Sequence, residues 1–200
     1  MMEFLNHKIL AKYKAGSDAS GFSGGDSDHD HVMILADYHG PNVIHDEGED
    51  IFLYGLEDYK KRLDFSDELP DYFVIYNIDT FHALDNIEVI DPGFEDEFKK
   101  IIQIDWASHL KEYLKRCIDY FSRYVEFKAM NKNLYHLYQI RGYLDNYAKK
   151  GVFGGDLSKA TVAKINDFKA NYRSMDESVL SVFQSILDSF GEYIAGGKGS

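Results

Sequence analysis

The sequence has a single cysteine, Cys117, so it can form no internal disulfide and no cysteine cluster able to hold zinc. A reducing compartment is the matching expectation. No apolar run is long enough to cross a bilayer, and no signal-peptide pattern opens the chain. The expected setting is therefore cytoplasmic, with no membrane partner. Basic residues are also scarce: 22 Lys or Arg stand against 34 Asp or Glu, for a net charge of -12. That balance excludes a generic nucleic-acid coat protein, because phosphate binding needs positive charge. The scarcity is uneven. Residues 1–100 hold 8 bases against 23 acids, and residues 101–200 hold 14 against 11. Acids grouped around a cleft suit metal ions, and a basic neighbour suits the phosphates such ions carry. No internal repeat is visible.

Apolar and aromatic residues are plentiful, with 14 Phe and 15 Tyr, enough for one compact domain or two small ones. Phe4, Leu5, Ile9 and Leu10 keep a helical spacing, which predicts a helix over 4–14. The run VMILA at 32–36 reads as a strand covered on both faces. HGPN at 39–42 reads as a turn. DIFLY at 50–54 reads as a second strand, with Asp50, Phe52 and Tyr54 on one face. Residues 56–65 predict a short helix. Residues 71–84 fit a strand by residue type and a helix by period, with Pro70 able to open one. IEVI at 87–90 is a small strand or an extended link.

From about residue 93 the period is helical throughout. Stripes start at Trp106, Leu134, Leu157 and Val179. Strands first and helices afterwards is the α+β pattern. The expected organisation is a sheet domain over 1–100, a helical domain over 101–195 and a flexible tail over 196–200.

One stretch carries more chemistry than the rest: GSDASGFSGGDSDHD, residues 16–30, which leads straight into the 32–36 strand. In extended chain, Asp28 and Asp30 point the same way, so their carboxylates converge. Two carboxylates that close repel each other unless a cation lies between them. Mg²⁺, or Mn²⁺, held by a few carboxylates and completed by substrate phosphates fits that need. Gly16 and Ser17 offer backbone N–H groups and a hydroxyl to phosphate oxygens. Glycines 21, 24 and 25 let the loop bend back toward the acids.

A Gly-Ser pair, a loop of about ten residues and an Asp-x-Asp entering a strand resembles the DNA polymerase beta-like nucleotidyltransferase superfamily. The matching residues are Gly16, Ser17, Ser27, Asp28 and Asp30. The segment EDIFLYGLEDYKKRL and the helix pattern YHLYQIRGYL at 135–144 are similar to a small bacterial and phage branch of it. The resemblance spans about residues 5–65, and more weakly extends to 150. It implies a minimal mixed sheet with flanking helices, followed by a helical lobe. It also implies a third carboxylate, at Asp50, among the nearby acids Asp46, Glu47 and Glu49. On that pattern Asp28, Asp30 and Asp50 hold the metal, and Ser17 holds a terminal phosphate of a nucleoside triphosphate. His136 and Arg141 are candidates for touching phosphate or acceptor. The implied reaction moves a nucleoside monophosphate to a hydroxyl, with a protein or small molecule favoured over a nucleic-acid end as acceptor.

Three features depart from the pattern. His29 and His31 flank Asp30 where apolar residues are usual, as extra ligands or as polar groups at a sheet edge. Asp18 puts a negative charge next to Ser17. These leave open a catalytically degenerate relative of phage or toxin-antitoxin type that binds or regulates without turnover. Residues 26–37 also keep the Asp positions of a calcium loop, though His31 stands where such a loop needs Gly.

Overall fold

In the computed structural model the chain is α+β and divides into two compact units, Met1–Asp105 and Trp106–Ser200. The structure describes residues 2–20, 22, 29–46, 48–127, 133–171 and 176–196, apart from the Asp18 side chain.

The first unit is built on a mixed sheet. Strands β1 (Glu3–Phe4) and β2 (His7–Lys14) form a tight hairpin, and β3 (His29–Leu35) lies antiparallel to β2. Strands β4 (Pro41–Asp46) and β5 (Glu49–Gly55) form a second hairpin. β5 sits between β4 and β3 and runs parallel to β3, the one parallel pairing described. Strand β6 (Ile87–Ile90) pairs with β2 on the side away from β3.

The helix expected over 4–14 is therefore a hairpin, for two reasons. Leu5 and Asn6 form its turn at φ 51° and 65°, a left-handed pair in which Leu gives no turn signal. A bulge between Ile9 and Ala11 then breaks the strand's alternation, so that Leu10 and Ala11 are both buried. The bulge is what made a strand read as a helix. Beyond it, Ala11, Tyr13 and Ala15 alternate inward as a strand should.

β3 is central, and Val32, Met33, Ile34 and Leu35 are all buried, as its unbroken apolar run predicts. Val32 and Ile34 face the larger core with Tyr13, Tyr54 and Phe98, while Met33 and Leu35 face a smaller one with Ile51 and Leu53. Helix α2 (Leu56–Leu63) follows β5 directly, with acids in its first turn and bases in its last, in accord with the helix dipole. The ambiguous segment is helical: α3 (Asp71–Ile75) opens after Pro70 and tightens into 3-10 turns over Tyr76–His82 and Leu84–Asn86. Helix α4 (Glu95–Ile101) buries Phe98 in the larger core.

A polar network runs through that core. The Arg62 guanidinium, 1% exposed, donates to Asp79 at 2.7 Å and lies over the rings of Tyr54 and Tyr59. It also donates to the carbonyls of Phe73 and Tyr76, at 2.9 and 2.8 Å. Burial raises the Asp79 carboxyl, and Arg62 opposes that rise. Burial also pushes the phenols of Tyr13 and Tyr59 up, which keeps both protonated and hydrogen-bonded to each other at 2.9 Å.

Among its described residues the second unit holds four helices, α5 (Trp106–Glu126), α6 (Leu134–Lys150), α7 (Lys159–Ala170) and α8 (Glu177–Ile194). α8 packs on α5 and α6, and α7 packs on α6. Ser158 and Asp176 cap α7 and α8 by accepting from Thr161 and Val179 N–H groups. Phe153 plugs one end against Trp106, Tyr113 and Tyr143. Among the described residues, no helix is long and apolar enough to cross a membrane.

Candidate functional site

The chain reverses at the end of β2 into a short helical turn, α1 (Gly16–Ala19). Gly16 has φ +59°, and a Cβ there would fall 1.9 Å from Asp30 Oδ2. Only glycine lets the turn lie this close to the carboxylate. The Ala15 N–H donates to the Asp30 carbonyl at 2.7 Å, tying the turn to the start of β3. Ser17 is buried at 8% exposure, and its carbonyl accepts from the Phe22 N–H at 2.8 Å. The Gly-Ser pair and Asp30 are thus neighbours.

Register then selects the second acid. Asp30 stands directly beside Asp50 in the parallel β3–β5 ladder. In-register neighbours share a face at the usual strand spacing of about 4.8 Å. Glu49 is one residue away on β5, and Asp46 stands opposite Glu49 across the hairpin, so both belong to the other face. Of the acids around Asp50, it is Asp50 that shares Asp30's face; Glu47 lies outside the described residues. The acid pair sits at the open end of the larger core, since Val32 follows Asp30 and Phe52 follows Asp50 on that face.

His45 faces Asp50 across the β4–β5 hairpin, and its Nδ1 lies 2.6 Å from Asp50 Oδ1. Sequence reasoning missed this residue. The signal was present in its five-residue spacing from Asp50 around Gly48, which is the geometry of a cross-strand pair around a tight turn.

His31 belongs to the opposite face and is no ligand for the Asp30 side. It is buried among charged groups: Glu88 at 3.2 Å from Nδ1 and Glu49 at 3.8 Å from Nε2, with Lys12 bonded to Glu88 at 2.9 Å. Burial pushes the His31 imidazole below its ordinary value, with help from Lys12, while Glu88 and Glu49 oppose the shift. The calcium-loop reading also fails on the fold, because residues 29–35 are strand and four of them are core.

Asp28 and Ser27 lie outside the described residues, as does the Asp18 side chain. Among the described residues, no group of three or more His, Cys, Asp or Glu side chains is gathered to hold a metal ion. Asp30 and Asp50 are nevertheless hard oxygen donors on one face beside a serine, a donor set suited to Mg²⁺ or Mn²⁺ rather than to softer metals.

His136 and Arg141 belong to the second unit. His136 is buried in α6, with its ring against Tyr135 at 3.8 Å between centroids. Arg141 donates to Asp145 at 3.1 Å and lines an open groove of about 570 Å³ against Ser181, Gln184 and Asp188 of α8. Five residues apart on one helix, they serve different surroundings. No protein-family model matches this chain, and no curated protein matches it.

Proposed function

We propose that the first unit transfers a nucleoside monophosphate from a nucleoside triphosphate to a hydroxyl, as a member of the polymerase beta-like nucleotidyltransferases. The observation that carries this reading is the in-register pairing of Asp30 and Asp50 beneath the Gly16–Ser17 turn. Asp30 and Asp50, with Asp28 two residues before Asp30 in sequence, are the residues that would hold Mg²⁺ or Mn²⁺. When bound, such ions neutralise the triphosphate and make the acceptor hydroxyl more acidic.

The remaining roles fall to the chain's own groups. Ser17 donates its hydroxyl to a terminal phosphate oxygen, and Gly16 keeps the turn close enough for it to do so. Asp50 takes the acceptor's proton as its oxygen bonds to the α-phosphorus. The bond to the β-phosphate oxygen breaks, and pyrophosphate leaves. The strongly acidic first hundred residues favour a protein side chain or small molecule as acceptor over a long nucleic acid. His136 and Arg141 are kept as candidates for phosphate or acceptor contact.

The test is transfer of label from each of the four α-labelled ribonucleotides into a cell extract, with Mg²⁺ or Mn²⁺. Wild type is compared with Asp28→Ala/Asp30→Ala. Label that requires the wild type supports the reading, and the size of the labelled species gives the acceptor class. Equal labelling by both proteins would overturn it.

A second reading, nucleotide binding without turnover, draws on His45, whose contact with Asp50 Oδ1 occupies an oxygen that catalysis would use. Thermal stabilisation of the wild type by nucleotide and metal, with no label moved, would favour that reading.

A further inference from the structure

Beside the acid pair the same face of the sheet carries aromatic rings that the core does not fully absorb. Tyr54 and Tyr59 are completely buried and belong to the Arg62 network. Phe52, Tyr72 and Tyr76 are only half-buried. They form a continuous chain of rings: Phe52 to Tyr72 at 5.9 Å, tilted by 36°, and Tyr72 to Tyr76 at 5.3 Å, edge to face.

Two links place this chain at the acids. Phe52 is two residues beyond Asp50 on β5, so it shares Asp50's face about 6.6 Å along the strand. Helix α1, which carries Gly16 and Ser17, packs against the 3-10 segment that begins at Tyr76. Phe52 thus shares the acids' face and touches Tyr72, and the Gly-Ser turn packs on the segment that Tyr76 opens.

The rings are also held firmly. Arg62 donates to the carbonyls of Phe73 and Tyr76, the backbone on which Tyr72 and Tyr76 are mounted, and Asp79 holds Arg62 in turn. A buried ion pair is a costly way to stabilise a fold, since apolar packing does as well. It is an effective way to fix a backbone, and a platform fixed in advance loses less entropy when a ligand stacks on it.

We propose that Phe52, Tyr72 and Tyr76 form the shelf on which the base of the nucleoside triphosphate stacks, an assignment that rests on the nucleotidyl-transfer reading above. Partly exposed rings beside a phosphate-and-metal region match the chemistry of a nucleotide, with an anionic end and a flat π-face. Stacking accepts any base, and the larger purine face gains more from it than a pyrimidine does.

The experiment compares two probes with the purified full chain by calorimetry in Mn²⁺: ATP, and inorganic tripolyphosphate, which has the charge but no base. The proteins are wild type, Tyr72→Leu/Tyr76→Leu and Tyr72→Phe/Tyr76→Phe. Leucine keeps apolar bulk without a π-face, and phenylalanine keeps the ring. The leucine protein is expected to lose ATP affinity by about tenfold or more while its tripolyphosphate affinity stays within about twofold. The phenylalanine protein should bind both as the wild type does. If the leucine protein binds ATP as tightly as wild type, the shelf is refuted and the acid-pair reading stands. A wild type that binds neither probe refutes the nucleotidyl-transfer reading, and the shelf with it.

Discussion

Gly16→Ala tests the construction of the site without reference to any ligand. Two costs add. An L-residue at φ +59° carries a left-handed penalty of about 1–2 kcal/mol. The new Cβ would also fall 1.9 Å from Asp30 Oδ2, 2.7 Å from its Cγ and 2.9 Å from its Cβ. The Asp30 side chain must then leave its rotamer, at about 0.5–1.5 kcal/mol. The expected loss is about 2–3 kcal/mol. Trp106, the only tryptophan, begins the second unit, so a probe within the first unit is the direct readout. Hydrogen exchange of the β2 and β3 amides is such a probe. Asp30→Ala clears the two nearest atoms, so Gly16→Ala/Asp30→Ala should lose about 1 kcal/mol less than the two single variants summed. A Gly16→Ala protein within about 0.5 kcal/mol of wild type, or strict additivity in the double variant, would refute the close approach of turn and carboxylate.

Three further outcomes follow from the packing. Arg62→Met strands Asp79 in the core and should cost about 3–5 kcal/mol in urea titration by circular dichroism, while Arg62→Met/Asp79→Leu should cost less than the single variants combined. Because burial holds the His31 imidazole below its ordinary 6.5, the unfolded chain takes up that proton first as pH falls. In metal-free buffer, stability should therefore hold above about pH 6.5 and decline below it, and His31→Gln should flatten that part of the pH profile. Gly142→Ala would set a Cβ 2.7 Å from Leu157 Cδ2 and 3.0 Å from Thr161 Cγ2. Leu157 Cδ2 is the free end of a partly exposed side chain that can turn away, so the roughly 1 kcal/mol of helix propensity should prevail and Tm should rise slightly.

What the sequence disclosed depended on how local the signal was. β3, β5, α2 and the four long helices are legible because an unbroken apolar run or a 3.6-residue stripe carries each of them. β2 was hidden by its bulge and by Leu5 in a turn position that usually takes Asn or Gly. β4 was overlooked because Pro41 reads as turn, although at the start of an edge strand proline costs no ladder bond. In the site, the fold sets Gly16 against Asp30 and Asp30 beside Asp50, a position that only the family resemblance had pointed to. His45 is legible only once β4 is seen as a hairpin partner of β5, and the Arg62–Asp79 pair not at all, because only the fold brings together residues 17 positions apart. No periodicity marks such pairs.

The strand order has a consequence for how the molecule comes into being. β5 follows both β3 and β4 in the chain, yet it lies between them. The β4–β5 ribbon closes through a short local turn, whereas β3 meets β5 only across the whole intervening segment. Loop-closure entropy favours the local ribbon forming first and then docking sideways on β3 as one piece. His45 and Asp50 would meet early in that sequence, and Asp30 would join Asp50 late. Assembly of the like-charged pair is then a final zippering event, exposed to repulsion that acts on the rate of folding as well as on the finished protein.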